Sequence, residues 1–567
     1  MVPQFFIKIY GYLKDQYSID GRSISLFRTS LGMVLLIDII LRIPEIGSFY
    51  TDNGVLPRYV ELTNTVNLYK FSIHHAFGSI FGQVLIFGIH LFVTFLFILG
   101  HQTKLTTFIL WILTSSLHAR NYLVLQSGDT ALRLFIFWSL FLPVHGNHSF
   151  DTYGKKVKLV ANKFFNVGTL AIFSQIAIIY FFAGYHKSFD SYFESGDALR
   201  LAMNLERYAT KFGHYLLAFP EFLKFGSRFS YIAEILCPIF LFFPFKNWIF
   251  RTFILICFLL FHLGTAMMME VGFFPFISIT MWILLIPSQG FDYLKTVKKI
   301  SPIEISINSQ FNNLPFKTIL VLLNLFETRI EFTKETRGFK INNDEVNKDK
   351  FINLISRHSL FYTPWTAPLL RYFIKLTLEI NSFTFFNYKS LGQKLMTALG
   401  CIFLIYNIVL NLKPIENLGP TSRKIVNQFE SFDFFKHGLN FEQRWGMFSP
   451  APSRSDGWHI IYGERYNGAK VDLWGTDFRE PLKKPDNVAA TYRNQRWRKY
   501  LDTVVRETHK GYRPYFLQHI CYEINKYKKN PMFKLKKVYH RFTEELTLDN
   551  NEFKISEIDY GSVTCLK

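Results

Sequence analysis

The sequence predicts an α-helical polytopic membrane protein of about eight to nine transmembrane helices, with a hydrophilic α/β insert and a small α/β domain at the C-terminal end. Three observations predict it. Of the 567 residues, 49% are hydrophobic and 18% aromatic, and they crowd into the part of the chain before Phe291. Uncharged runs recur at Phe71–Thr103, Leu105–Ala119, Leu134–Phe150, Phe164–His186, Thr252–Met269, Val271–Phe291 and Leu395–Leu412, and apolar stretches with internal charge lie around Leu26–Ile43 and Phe229–Phe245. The runs also lack the alternation of barrel strands, and backbone crossing lipid must satisfy its own hydrogen bonds, so each is read as a helix.

In chain order, residues 1–24 are read as a cytoplasmic amphipathic segment, since Phe5, Phe6, Ile9, Tyr10 and Leu13 suit an interfacial helix. No cleavable signal is expected there, and the first span serves as an uncleaved anchor. Residues 25–290 form the transmembrane core, 291–390 the insert, 391–413 the last transmembrane helix and 414–567 an extracytoplasmic domain. Orientation in the cell membrane follows from charge. With the N-terminus inside, cytoplasmic loops hold Lys8, Lys14, Arg22, Lys104, Lys155, Lys156, Lys158, Lys163, Lys246 and Arg251, whereas the short opposite loops hold only Arg58, Lys70 and Arg120. The long basic loop Ser188–Arg228 counts less because of its length.

The insert reads as a strand at Ile303–Ile307, a helix at Pro315–Phe326, a strand at Arg329–Thr333 and a helix near Asp349–Arg357. It resembles a thioredoxin-like module, but Asn308–Lys317, where such modules place paired cysteines, contains none, so no redox activity is expected. Beyond the last span, Trp458–Glu464 and Ala469–Trp474 flank an Asn-Gly hairpin signal, Arg493–Arg506 and Tyr512–Lys528 read as helices, and Lys534–Glu544 reads as a strand.

A net charge of +21 without a nucleic-acid recognition motif points to anionic lipid rather than nucleic acid. Cys237, Cys257, Cys401, Cys521 and Cys565 show no CxxC pair or metal-ligand spacing, so neither a disulfide framework nor a metal site is expected.

Lys187 closes the Phe164–His186 run and should sit at the outer edge of the bilayer. It is either an anchor that snorkels to the headgroups or, if desolvated by Tyr180, Phe181 and Tyr185, a general base, with His186 adding positive charge beside it. His262 lies within a span, either bonded to a neighbouring helix or functional. Glu234 is an intramembrane carboxylate and thereby a candidate. Asp38 and Arg42, one helical turn apart, are read as a structural pair. The outer loop from His118 to Asp129, followed by Arg133, brings Arg120, Asn121 and Asp129 to the side of Lys187, although Asp129 and Arg133 could pair across one turn.

Taken together, Leu26-Phe27-Arg28 leading to Phe49–Pro57, Arg120-Asn121 to Gly128-Asp129, Tyr180–Gly184 with Lys187, and Phe261-His262 resemble the HTTM (horizontally transferred transmembrane) family, whose membrane domain is shared with vitamin K-dependent γ-carboxylase. Gln443–Pro450 with Asp456–Trp458 is similar to the bacterial members. The resemblance implies a lyase-type, quinol-dependent carboxylase and epoxidase. Lys187 would deprotonate reduced vitamin K or a menaquinol-type quinone, oxygen would convert the anion to a strongly basic alkoxide, and carbon dioxide would capture the γ-carbanion of a peptide glutamate. The quinone would leave as its epoxide. His262 matches a histidine of the carboxylase core, and Arg120, Asn121, Asp129, Arg133, His186 and Glu234 are expected to line the substrate site. The competing class is a noncatalytic membrane protein that binds quinone or lipid or scaffolds partners, with a transporter third.

Overall fold

The computed structural model describes residues 4–64, 71–146, 149–151, 163–298, 303–311, 314–323, 328–333, 336, 338–342, 344–359, 363, 365–378, 392–412, 428, 434–476, 484–548 and 552–566. Lys70, Lys155, Lys156 and Lys158, part of the expected charge asymmetry, lie outside them, as do residues 379–391 and 413–427 at the expected borders of the last span.

The helical core contains α1 (Gln4–Tyr17), α2 (Gly21–Arg42), α3 (Ile80–Leu99), α4 (Thr103–Arg120), α5 (Ser127–Ser139), α6 (Val167–Tyr185), α7 (Pro220–Leu241), α8 (Asn247–Met268), α9 (Phe274–Leu284) and α10 (Ser288–Lys298). Among the described residues, five helices are long and apolar enough to cross a membrane, counting Leu395–Leu412. A sixth arises if α9 and α10, bent by 86°, count as one broken span. The expected run Leu134–Phe150 does not form a helix over its length. The Asp129 carboxylate accepts from the Gln126 N–H at 2.7 Å and starts α5 at Ser127, and the chain turns after Ser139. Gly128 and Asp129 in the first turn of α5 are buried although neither is apolar in side chain, so apolarity alone misplaced the helix.

α2 packs on α3 and α9, α6 on α7, and α7 and α9 on α8. Phe27, Leu31, Leu35, Phe135, Trp138, Ile172, Ile176 and Trp282 are buried in this core. At one end of the bundle α1 lies against the α7–α8 turn, with Tyr17 Oη donating to the Phe242 carbonyl at 2.8 Å, Arg251 donating to the Ser18 carbonyl at 3.1 Å, and Arg22 pairing with Asp292 at 3.1 Å. Ile9, Tyr10 and Tyr12 of α1 are exposed. The opposite end, built from residues 42–57, 120–127, 185–210 and 268–274, meets the C-terminal domain.

In the insert, β1 (Ile303–Asn308) leads through α11 (Leu314–Leu323) to β2 (Thr328–Thr333), which lies parallel to β1, while β3 (Phe339–Ile341) and β4 (Asp344–Val346) add antiparallel strands in the order β2-β1-β3-β4. α12 (Lys348–His358) and α13 (Ala367–Thr377) follow, and Ile305, Ile307, Phe316, Leu320, Phe351 and Ile355 fill a separate core. α14 (Gln393–Leu412) then returns to the bundle and packs on α6.

The C-terminal domain is a four-stranded antiparallel sheet in the order β8-β7-β5-β6, made by β5 (Ser455–Arg465), β6 (Lys470–Asp472), β7 (Leu535–Thr547) and β8 (Phe553–Thr564), with α15 (Gln495–Val504) and α16 (Arg513–Asn525). Gly468, at φ +81°, makes the β5–β6 turn that the Asn-Gly pair predicts. Contrary to the expectation of no disulfide, Cys521 on α16 is bonded to Cys565 beyond β8. A sequence separation of 44 residues carries no spacing signature, and only the fold brings the two together.

Candidate functional site

Asn166 starts α6 by accepting from the Thr169 N–H at 3.0 Å, and the helix ends where Tyr185 gives way to His186. Lys187 lies seven residues beyond Tyr180 and just past the helix end, its N–H bonded to the Gly184 carbonyl at 3.0 Å. Gly184 lies between them. A Cβ there would stand 3.1 Å from that of Glu234, so this glycine permits the close approach of α7 that carries Glu234 to Lys187. Lys187 Nζ donates to Glu234 Oε2 at 2.5 Å, with only 7% and 4% of the two side chains exposed. The ammonium also stands 4.7 Å from the centroid of the Tyr192 ring. Such a pair is held by its mutual attraction against a large desolvation cost, and removing either member strands the other.

Two turns deeper, the Tyr180 hydroxyl accepts from Trp282 Nε1 at 2.8 Å and is hydrogen-bonded to His262 Nε2 at 2.6 Å. Phe258 packs 3.9 Å from the Tyr180 centroid and stacks on Trp282. His262 is fully buried, and its Nδ1 has no hydrogen-bond partner among the described residues.

The segment Gln443–Pro450 runs along α6 to its C-terminal end. Gln443 is fixed by a buried amide cluster in which Gln175 Nε2 and Trp445 Nε1 donate to its Oε1 at 3.0 and 3.1 Å, and Asn407 and Trp138 donate to Gln175 Oε1, both at 3.1 Å. From there the chain passes His186 at Gly446. Tyr192 Oη donates to the Phe448 carbonyl at 2.9 Å, and the Ser188 N–H to the Pro450 carbonyl at 2.7 Å.

The remaining expected site residues are engaged elsewhere. Arg120 donates to the carbonyls of Leu56 and Thr51 at 2.9 and 3.3 Å, and Asn121 to that of Phe49 at 3.0 Å, so both fasten the 49–56 loop. Arg28 likewise holds the carbonyls of Val144 and His145. Arg133 donates to the Asn440 carbonyl at 2.8 Å and lies 3.1 Å from His118 Nδ1, and it does not pair with Asp129. Asp129 instead meets Arg42 at 2.7 Å and Arg496 at 2.6 Å. The expected Asp38–Arg42 pair forms at 2.8 Å but belongs to this larger set, because Arg496 also reaches Asp38 at 2.7 Å. These four side chains plug the C-terminal domain into the bundle.

The structure therefore brings Lys187 and Glu234 together, joins His262 to Tyr180 on the same helix α6, leaves the His186 ring against Phe182 and Tyr185, and gives Arg120, Asn121, Asp129 and Arg133 to loop and domain packing. Sequence reasoning passed over Trp282 and Tyr192; an aromatic residue with a polar handle inside an uncharged span is the signal that points to Trp282. No group of three or more potential metal ligands occurs among the described residues. A cavity of 400 Å³ lies apart from Lys187, between the α8–α9 turn and residues 487–498 of the C-terminal domain. Compared with known protein families, with curated proteins and with solved structures, the chain matches none.

Proposed function

We propose that the chain is an integral membrane protein of about nine spans whose Lys187–Glu234 pair takes a proton from a reduced quinone, as the likeness to the HTTM family and vitamin K-dependent γ-carboxylase implies. The observation that carries this reading is a lysine and a glutamate paired at 2.5 Å under a protein cover, at the end of the helix that carries Tyr180 and its partner His262. In a dry site the ammonium proton can pass to the carboxylate, leaving both groups neutral. The freed amine then accepts a phenolic proton. At the end Glu234 holds the proton and the Lys187 ammonium faces the new anion. Phe258, Trp282 and Tyr180 offer an aromatic wall that fits a quinol ring, and His262 Nδ1 is a buried polar atom in want of a partner. A vitamin K- or menaquinol-type quinone, with oxygen and carbon dioxide, would supply the oxidation that drives carboxylation of a glutamyl group. Exclusion of water by Gln443–Pro450 suits such chemistry.

The same reading puts the N-terminus in the cytoplasm and the C-terminal domain outside. Its supports are the Cys521–Cys565 disulfide, which belongs in an oxidising compartment, and the placement of Lys14, Lys104 and Arg251 at the opposite end of the bundle. The count of nine adds α4, α5, α7 and α9 to the five long apolar helices.

The test is incubation of the purified protein with reduced vitamin K or menaquinol, oxygen and labelled bicarbonate. Quinone epoxide together with fixed label, both lost in Lys187→Ala, is the expected result. Epoxide without label removes carboxylation and keeps the base. Neither product with any quinone leaves the noncatalytic reading.

A further inference from the structure

Helix α13 of the insert is apolar on two opposite faces. Leu370 and Ile374, with Leu378 just past the helix end, repeat every four residues and pack in the insert's core. On the other side Leu369 and Tyr372 are exposed, and Trp365, in the turn before the helix, is 92% exposed. Their spacing of four and three residues sets these three on one stripe. Arg371 and Lys375 are exposed between the two faces, and residues 359–378 contain no acidic side chain. An apolar stripe with aromatic residues, flanked by cations alone, is the composition of a helix that lies in a membrane interface. The 11 residues of α13 make a rod roughly 17 Å long at about 1.5 Å per residue, too short to cross some ~30 Å of hydrocarbon.

The fold sets this helix at the level where a span ends. At the C-terminal end of α3 the Phe150 N–H donates to the Leu99 carbonyl at 3.0 Å, and the Lys317 ammonium of α11 lies 5.7 Å from the centroid of the Phe150 ring. The insert therefore meets the bundle through α11 where a long apolar helix stops. α11 packs on α3 on one side and on α13 on the other. Chain order agrees, because residues 378–392 alone separate α13 from α14, the next helix apolar enough to span.

We infer that α13 docks on the leaflet at the insert's end of the bundle, with Trp365, Leu369 and Tyr372 among the upper acyl chains and Arg371 and Lys375 against anionic headgroups. The inference rests on the membrane placement of the bundle and is independent of proton handling at Lys187. A second copy of the chain apposed through the same stripe would bring two basic, acid-free surfaces together, whereas an anionic leaflet complements them.

The full-length protein carrying Cys257→Ser is reconstituted in vesicles of phosphatidylglycerol and phosphatidylcholine. A bimane label is placed on the native Cys401 of α14 or, after Cys401→Ser, on Leu369→Cys. Lipids with a nitroxide high on the acyl chain are expected to quench both labels, and aqueous iodide neither. Combining Arg371→Gln with Lys375→Gln should lower the ratio of docked to undocked helix roughly thirtyfold, read from the quenched fraction at Leu369→Cys, and phosphatidylcholine alone should act in the same direction. Quenching at Cys401 with a Leu369→Cys label open to iodide overturns the inference and keeps the membrane placement. A label at Leu369→Cys closed to both quenchers overturns the lipid assignment in favour of a protein cover. Quenching at Leu369→Cys that the double glutamine variant leaves unchanged overturns the role given to the two cations. Lipid quenching at neither site overturns the membrane placement itself.

Discussion

Arg496→Met should release the C-terminal domain from the bundle. Arg496 donates to both oxygens of Asp129 at 2.6 and 2.7 Å, to Asp38 at 2.7 Å and to the Val124 carbonyl at 3.0 Å. Arg42 neutralises the same two carboxylates from the other side, so two cations meet two anions, all of them buried. Methionine keeps the length of the side chain and removes the charge, leaving two buried carboxylates to share one guanidinium. Breaking a buried ion pair from one side costs about 3–5 kcal/mol. If that cost falls on local opening of the domain, the population of the opened form rises roughly 10²- to 10³-fold or more, and tryptic cleavage rises with it where closing outpaces cutting. The assay is limited trypsin digestion of the detergent-purified protein, with fragments read by mass. Adding Asp129→Asn to Arg496→Met restores charge balance and should recover part of the loss, while exposed Arg506→Met should stay within about 0.5 kcal/mol of the parent. Cleavage of Arg496→Met within about threefold of the parent, or a double variant no better than the single, would refute the plug.

Further outcomes follow from the same geometry. Lys187→Arg keeps a cation against Glu234 and should melt like the parent, yet consume no quinol, because a guanidinium does not deprotonate; retained turnover sinks the base. Glu234→Leu strands the ammonium and should cost about 3–5 kcal/mol in melting experiments, whereas Lys187→Met combined with Glu234→Leu should cost less than the single change. Reduction of Cys521–Cys565, which closes a loop of 44 residues, should lower the denaturant stability of the C-terminal domain by about 4 kcal/mol on the chain-entropy account, and a midpoint unmoved by reductant would contradict it. Burial pushes His459 down to about 3 and His540 well below its ordinary value, so both stay neutral in the fold while the unfolded chain takes up protons below about 6.5. Stability is therefore lost as pH falls from about 6.5 toward 3, by up to ~1.4 kcal/mol per pH unit for each histidine. Asp456, raised to about 6 by burial, opposes this, because the folded state keeps its proton between about 6 and 3.8. Asp456→Asn should steepen the acid loss measured by denaturant unfolding at pH 7, 6 and 5, and a shallower loss would reverse the sign argued here.

Hydropathy made the long helices legible, and the Asn-Gly pair made the β5–β6 hairpin legible, because both signals are local. Lys187 and Glu234 were each visible as charges at or in apolar stretches, but their contact was not: it depends on Gly184 admitting α7, a matter of packing rather than of either residue's neighbours in sequence. Arg120, Asn121, Asp129 and Arg133 looked like a polar pocket because a loop rich in donors resembles a site until its partners are known. Those partners are the carbonyls of the 49–56 loop and of Asn440, together with Arg42 and Arg496, distant in sequence. Strand β8 escaped notice for a different reason. It is an edge strand, mostly exposed and interrupted at Asp559/Gly561, so its alternation of apolar residues breaks midway.

The C-terminal domain is accordingly more than an appendage on the membrane surface. Gln443–Pro450, which leads into β5, is anchored below by the Gln175–Asn407 amide cluster and supplies the carbonyls that hold Tyr192 and Ser188 over Lys187. Downstream of β5, Arg496 ties the domain to Asp38 and Asp129 on α2 and α5. A lysine paired with a glutamate in water would gain little from the contact. Beneath this cover the same pair is shielded from competing solvent. The stretch that covers Lys187 and the arginine that docks on α2 and α5 therefore belong to the same domain, so the chain that shields the pair is the chain that Arg496 fastens to the bundle.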